Sequence, residues 1–197
     1  ASNPPIGALA REYGYDETTV AAKVGAFAAG MRDGGVMPTL KHFPGLGHVD
    51  ENTDTRTGVT DDTVTADGAD VGVYASVLPQ GDAIVMMSTA IYARIDPSAP
   101  AAFSPAVVDV LRDRVGFDGV ITVDDLSAAR QVQPWSPADR ATLAVDAGVD
   151  LLLVSADPSV YPDMHQAVLA RAESDPAFAA KVDAAARRIV EQKASMP

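Results

Sequence analysis

Four short apolar runs, each followed closely by polar side chains, constrain the fold of this chain most. They occupy 36–40, 83–87, 119–123 and 150–154. Between them lie segments whose apolar residues recur at helical spacing. Asp16 can cap a helix carrying Val20, Val24, Phe27, Ala28 and Met31, which Gly34-Gly35 ends. A weaker pattern around 70–78 carries Val71, Tyr74, Val77 and Leu78. Ser104-Pro105 supplies a capping hydroxyl and a proline suited to the first turn. Val107, Val108, Leu111 and Val115 form the stripe of that helix, and Gly116 stops it. Ser136-Pro137 opens the next helix, which Gly148 ends, and helix-like residues follow near 160–172. Asp175-Pro176 opens the last, with Phe178, Val182, Ala185, Ala186, Ile189 and Val190 on one face. Strands alternating with helices in this way specify a parallel sheet covered by helices, an α/β fold. Continuous apolar runs predict strands buried on both faces.

The chain has 197 residues, 47% hydrophobic and 21% charged, enough for a sizeable core and for one domain spanning 1–197. Cysteine is absent, which excludes a disulfide framework and cysteine metal sites. The formal net charge of −12 leaves no basic footprint for nucleic acid. No apolar run approaches the roughly 18 residues of a bilayer span. Neither a cofactor nor a metal is expected.

Polar residues cluster just past the apolar runs: Lys41-His42, Ser88-Thr89, Asp124-Asp125, and Ser155 with Asp157. In both barrels and open sheets of this class, that edge carries the ligand site. No glycine-rich phosphate loop follows any run, which weakens a nucleotide-binding reading. The stretch from Lys41 to Asp54 stands out. It opens with a cation and an imidazole, turns through Phe43-Pro44-Gly45-Leu46-Gly47, and then carries Asp50, Glu51 and Asp54. Lysine offers only donors, a neutral imidazole one donor and one acceptor, and carboxylates only acceptors. Such a mixture suits a polyhydroxylated ligand. The long loop from 41 to about 65 is of a length that is usually functional or disordered.

These motifs together resemble glycoside hydrolase family 3, in its bacterial β-N-acetylglucosaminidase branch. Asn3-Pro4-Pro5-Ile6-Gly7 and Arg11-Glu12-Tyr13-Gly14 are similar to the family's Asn-Pro-x-Ile-Gly…Arg-x-Phe-Gly, with two extra residues before the arginine. Lys41 to Gly47 is similar to Lys-His-Phe-Pro-Gly-His-Gly. Gly116-Phe117-Asp118-Gly119 through Asp124-Asp125-Leu126-Ser127 is similar to Gly-Phe-x-Gly…Ser-Asp-Asp-Leu-Ser. Ala147-Gly148-Val149-Asp150 and Arg188-Ile189 also fit. The resemblance implies a (β/α)8 TIM-type barrel, of which this chain supplies about the C-terminal half. The missing half-barrel is expected from the same or another chain, since an open half would expose two sheet edges and an apolar inner face.

The resemblance also implies roles. Asp124 would be the nucleophile of a retaining mechanism, and a strand end is a rigid place from which to aim it. The bland alternative is an aspartate capping the next turn. Asp125 reads as a supporting acceptor or a turn residue. Lys41, His42 and Arg11 would bind sugar hydroxyls. Trp135 could stack on a sugar, but a tryptophan beside Pro134 is more often a packing residue. The chain departs from the pattern at the acid/base: Leu46 replaces a histidine, and Asn52-Thr53-Asp54 stands where Asp-Ser-His is expected. Asp54 is therefore the candidate acid/base, with His48 as runner-up and His165 facing solvent. Asp50 and Glu51 would raise the Asp54 pKa and Arg56 would lower it. An anionic acid/base should repel phosphate, so hydrolysis is expected rather than phosphorolysis.

The implied activity is exo-hydrolysis of terminal β-N-acetylglucosamine from carbohydrate substrates such as peptidoglycan fragments, in the cell envelope or outside the cytoplasm. A family 3 β-glucosidase and a non-catalytic sugar-binding remnant are the competing readings.

Overall fold

The computed structural model describes residues 3–195, so the outermost residues of the expected 1–197 domain lie outside it. A parallel sheet of three strands runs through the centre: β1 (Thr39–Phe43), β3 (Ile84–Met87) and β6 (Ile121–Val123), in the order β1-β3-β6. The crossovers carry helices α2 (Ala69–Val77) and α3 (Pro105–Asp109), the latter continued by a π-helical turn at Val110–Arg114. Helix α1 (Glu17–Asp33) precedes β1, and α4 (Pro137–Ala147) follows β6. Helices α5 (Tyr161–Ser174) and α6 (Pro176–Ser195) close the described chain.

The predicted caps form. Asp16, Ser104 and Ser136 accept from the amides of Thr19, Val107 and Asp139 at the starts of α1, α3 and α4. Asp175 accepts from the amides of Ala177 and Phe178 at the start of α6. Gly148 takes the left-handed conformation that ends α4 (φ 103°), where a side chain would be strained. Phe27 departs from its expected place: it is exposed, with its ring edge-on to Tyr13.

The first strand sits later than expected. Pro38 has no N–H to give a neighbour, so pairing begins at Thr39, and Lys41 and His42 lie within the strand rather than past it. The expectation of burial on both faces holds only for β6. On the helix-covered face, Leu40, Val85 and Ile121 align in register and are buried. On the other face Lys41, Met86 and Thr122 align, and Lys41 is exposed and Met86 half-buried. The fourth run makes one bridge, Thr122 to Leu151, instead of a full strand. The further bonds mix backbone and side chain: the Leu126 amide donates to the Leu153 carbonyl, the Thr122 hydroxyl to the Leu151 carbonyl, and the Ser155 amide to Asp125.

A second, smaller sheet was not anticipated. Strand β2 (Thr60–Asp61) pairs parallel with β4 (Ile91–Tyr92), which pairs antiparallel with β5 (Asp96–Pro100). It anchors the far end of the 44–65 loop beside the carboxyl end of β3. Prolines at both ends of β5 are tolerated because it is an edge strand.

The base of the sheet is fixed by one buried carboxylate. Asp150 accepts from Arg112 Nη2 (2.7 Å), the Ile121 amide (2.8 Å) and Arg188 Nη1 (2.9 Å). This ties α6 and the turn after α3 to the start of β6, at the end opposite the candidate site.

Candidate active site

Asp124 directly follows β6. Its amide donates to the Met87 carbonyl (3.1 Å), which holds the backbone on the sheet. One carboxylate oxygen, Oδ1, accepts from the Asp125 amide (2.9 Å). The other, Oδ2, faces His42 Nε2 at 3.6 Å. That separation exceeds a hydrogen bond. It is not an ion pair either, because burial, with help from the positive charges of Lys41 and Arg11, pulls the His42 pKa down to about 3. His42 is a neutral imidazole, and its Nδ1 is buried without a partner among the described residues. The pairing register shows why side chains in this part of β1 do not simply alternate between the two faces. Lys41 pairs with Met86, yet Phe43 pairs with Met87, so His42 is an extra residue in the ladder. Such a bulge re-aims side chains. Phe43 returns to the helix-covered face, with its ring edge-on to Tyr74 at 5.0 Å.

Asp125 does not share its neighbour's exposure to the site. It accepts from the Ser127 amide and hydroxyl, the Ala128 amide and the Ser155 amide. Burial alone would raise its pKa, but these donors outweigh burial and hold it low. Asp125 is a structural acceptor that joins the loop after β6 to the segment after Leu151.

Asp54 comes from the loop after β1. Partial burial raises its pKa, the negative charge of Asp124 raises it further, Arg11 opposes, Asp125 adds, and Lys41 opposes. These influences bring Asp54, Asp124, Arg11 and Lys41 into one electrostatic neighbourhood. They also correct the sequence reading: the carboxylates that raise Asp54 are Asp124 and Asp125, not Asp50 and Glu51. Glu51 is engaged with Arg56 (3.6 Å), and neither is among the groups that shift Asp54. Arg11, an exposed residue, donates through Nη1 to the Pro5 carbonyl (2.8 Å). His48 is tied to Asp70 Oδ1 at 3.2 Å. Trp135 packs edge-on against Phe103 at 5.3 Å.

The loop carrying Asp54 is held in several places. Asn3 donates to the carbonyls of Leu46 and Val49, and the Tyr92 hydroxyl donates to the Gly45 carbonyl. Leu46, Val49, Thr53, Val59 and Val64 are buried. Two residues that the sequence reading passed over also matter. Gln131 is buried and bonded at both ends of its amide to Val59. Arg140 is buried and donates to the carbonyls of Leu126, Ser127 and Trp135 and to Gln133 Oε1, so it shapes the loop after Asp124. Arg140 was legible in principle, since it lies on the face of α4 shared with Ala141 and Ala144; Gln131 carried no such signal. Among the described residues, no three His, Asp or Glu side chains are grouped to hold a metal ion, and no helix is long and apolar enough to cross a membrane.

Comparison with known proteins gives this arrangement a family. A crystal structure of β-N-acetylhexosaminidase from Beutenbergia cavernae DSM 12333 superposes with a TM-score of 0.97 at 59% identity, over 98% of this chain and 58% of that one. β-Hexosaminidase LpqI of Mycobacterium tuberculosis (strain ATCC 25618 / H37Rv) is 35% identical over 172 residues, covering 81% of this chain and 44% of that protein. An uncharacterized secreted glycosyl hydrolase of Arthroderma benhamiae is 34% identical over 156 residues, covering 76% of this chain and 44% of that protein. The chain thus spans about half the length of the curated relatives it matches. Its four successive strand positions and their helices are a segment of a TIM-type barrel. Residues 1–192 match the glycosyl hydrolase family 3 N-terminal domain, and the chain belongs to that family.

Proposed function

We propose that this chain carries the catalytic edge of a retaining exo-β-N-acetylhexosaminidase that releases terminal β-N-acetylglucosamine. The observation that carries this reading is the pairing of a strand-borne carboxylate, Asp124, with a second carboxylate, Asp54, whose pKa Asp124 helps to raise. Two carboxyl groups with divergent environments supply the nucleophile and the acid of such a reaction. Asp124 Oδ1 is engaged by a backbone amide, which leaves Oδ2 to attack the anomeric carbon. Protonated Asp54 donates to the glycosidic oxygen as that bond breaks. The glycosyl ester then removes the negative charge of Asp124, and with it one cause of the raised Asp54 pKa. Asp54 becomes more acidic when it must take a proton from the attacking water.

Neutral His42, with Lys41 and Arg11, supplies the grip on sugar hydroxyls. The unpartnered Nδ1 and the 3.6 Å gap at Nε2 leave imidazole hydrogen bonds for a ligand to complete. The remaining barrel strands, from the same or another chain, would close the site. Peptidoglycan fragments are the proposed substrate source, and an extracytoplasmic setting is supported by the secreted relative.

The test is turnover of a chromogenic N-acetylglucosaminide by the complete enzyme. Asp124→Ala should lose nearly all activity, and mass spectrometry should find a trapped glycosyl-enzyme on Asp124 with a slow-releasing substrate. Full activity in Asp124→Ala would end the assignment.

A further inference from the structure

We propose that Gln131 is a positioning residue that sets the acid Asp54 against the nucleophile Asp124 by clamping the two loops together. This rests on the reading of Asp54 as the acid/base. Asp124 leaves a rigid strand, but Asp54 sits on a long loop. In a retaining mechanism the two carboxyl groups must stand about 5–5.5 Å apart. Loop-borne groups are harder to hold to such tolerances than strand-borne ones, and they need a supporting shell.

The supporting shell is an inter-loop ladder. The Arg130 amide donates to the Asp54 carbonyl (3.2 Å), and the Gln131 amide donates to the Thr53 carbonyl (3.0 Å). The Gln131 side chain then reaches Val59: Oε1 accepts from its amide (2.9 Å) and Nε2 donates to its carbonyl (3.2 Å). The acid loop is thus held on both sides of Asp54 by one stretch of the nucleophile loop. Gln131 is 2% exposed and Thr53 2%, so water cannot readily replace these bonds. Within the acid loop, Asn52 Oδ1 accepts from the Asp54 amide (2.8 Å), which fixes the local turn. The nucleophile loop is itself rigid, because buried Arg140 holds its carbonyls and Gln133 Nε2 donates to the Ser127 carbonyl. The path from Asp124 to Asp54 is therefore a continuous run of hydrogen-bonded backbone in which, among the described residues, Gln131 supplies the side-chain link between the loops.

The clamp serves proton donation, not the sugar grip, because Lys41 and His42 lie on β1. Its loss should be felt where the leaving group needs a proton. The test compares kcat/KM, which reports formation of the glycosyl-enzyme, on phenyl and dinitrophenyl N-acetylglucosaminides in the complete enzyme. Dinitrophenolate departs without protonation, and phenolate does not. Gln131→Met keeps the volume and removes both bonds to Val59. It should lower kcat/KM at least about tenfold on the phenyl substrate, part of the 10²–10⁴-fold that acid catalysis supplies. On the dinitrophenyl substrate the change should stay within about threefold, since that step does not use the acid. Amide exchange should accelerate at Val59 and at Asp54. An equal loss on both substrates, or no loss on either, overturns the clamp. If Gln131→Met fails to fold, Gln131→Glu, which retains the acceptor for the Val59 amide, takes its place under the same criteria. Asp54→Ala separates the two claims. No leaving-group dependence in Asp54→Ala defeats the acid assignment and the clamp with it. Dependence in Asp54→Ala without any in the Gln131 variant defeats the clamp alone.

Discussion

Replacing Asp150 with alanine should cost this fold a large part of its stability without touching the candidate site. The Asp150 side chain is 1% exposed and receives three donors. Arg112, at 16% exposure, would be left as a nearly buried cation without its counter-charge. Stranding one member of a buried pair costs about 3–5 kcal/mol. The low end applies here, because Arg112 keeps the carbonyls of Phe117 and Gly119 as acceptors and lies over the Phe117 ring. The Ile121 amide would lose its acceptor inside the sheet, at about 1–2 kcal/mol. Arg188 is 36% exposed, so water replaces much of what it loses, and its share is within about 0.5 kcal/mol. The loss is then about 4–5 kcal/mol, against the roughly 5–15 kcal/mol that folded domains possess. For a chain of this size each kcal/mol moves Tm by about 2–4 °C, giving a drop of about 8–20 °C. Thermal melts followed by circular dichroism measure it directly. Adding Arg112→Met should recover part of the loss by removing the stranded cation, whereas adding Arg188→Met should recover little. A drop below about 2 °C, less than 1 kcal/mol on that scale, would refute the reasoning. So would an absence of recovery with Arg112→Met.

The site makes further commitments. Imidazole NMR should find His42 neutral from pH 8 down past pH 5, with protonation only near its depressed pKa of about 3; a midpoint near the ordinary histidine value would contradict its burial. Activity that depends on protonated Asp54 should fall as pH rises through its raised pKa. Arg11→Met removes a charge that lowers that pKa, so the basic limb of kcat/KM should move to higher pH. The sign for stability follows from the same shift: because folding raises the Asp54 pKa, ionisation costs nothing below the unfolded value and its full cost is felt above the folded value. Asp54→Asn should therefore raise Tm at neutral pH while lowering activity, and a lowered Tm would argue against the crowding by Asp124. Replacing buffer with phosphate should neither speed turnover nor yield sugar-1-phosphate, as product analysis by chromatography would show.

What was legible in the sequence follows from how local each signal is. Asp16, Ser104, Ser136 and Asp175 announced helix starts because a cap and the amide that donates to it lie within one turn. The place of Asp124 at a strand end was legible because an apolar run followed by carboxylates is a local pattern. The start of β1 was misplaced because apolar character continues through Val36 and Met37, while pairing depends on a neighbouring strand and on the missing N–H of Pro38. Strands β4 and β5 were missed because Asp96-Pro97-Ser98-Ala99-Pro100 has the composition of a loop and becomes a strand only by pairing with Ile91 and Tyr92. The fourth run, apolar enough for a full strand, forms a single bridge, and its other bonds to β6 and the loop after it mix backbone with threonine and aspartate side chains, a pattern no local signal announces.

The environment of Asp54 was the least legible feature, and the reason bears on mechanism. Sequence neighbours suggested Asp50, Glu51 and Arg56 as its electrostatic partners, but a loop folds back, and the groups that matter come from other strands and from the lead-in. The proposed proton donor is thus defined by tertiary contacts, whereas Lys41, His42 and Asp124 are placed by the sheet that carries them. The proposed nucleophile and two of the proposed sugar-binding residues, Lys41 and His42, lie on or directly after strands whose pairing is continuous with the core; the proposed acid lies on a loop tied to that core by a handful of bonds. Changes at Asn52, Gln131 or Arg140 should therefore act on proton transfer first, lowering kcat while leaving sugar affinity close to its original value. Changes that disturb β1 should act on affinity and on the proposed nucleophile together, because the bulge at His42 sets its imidazole against the Asp124 carboxylate.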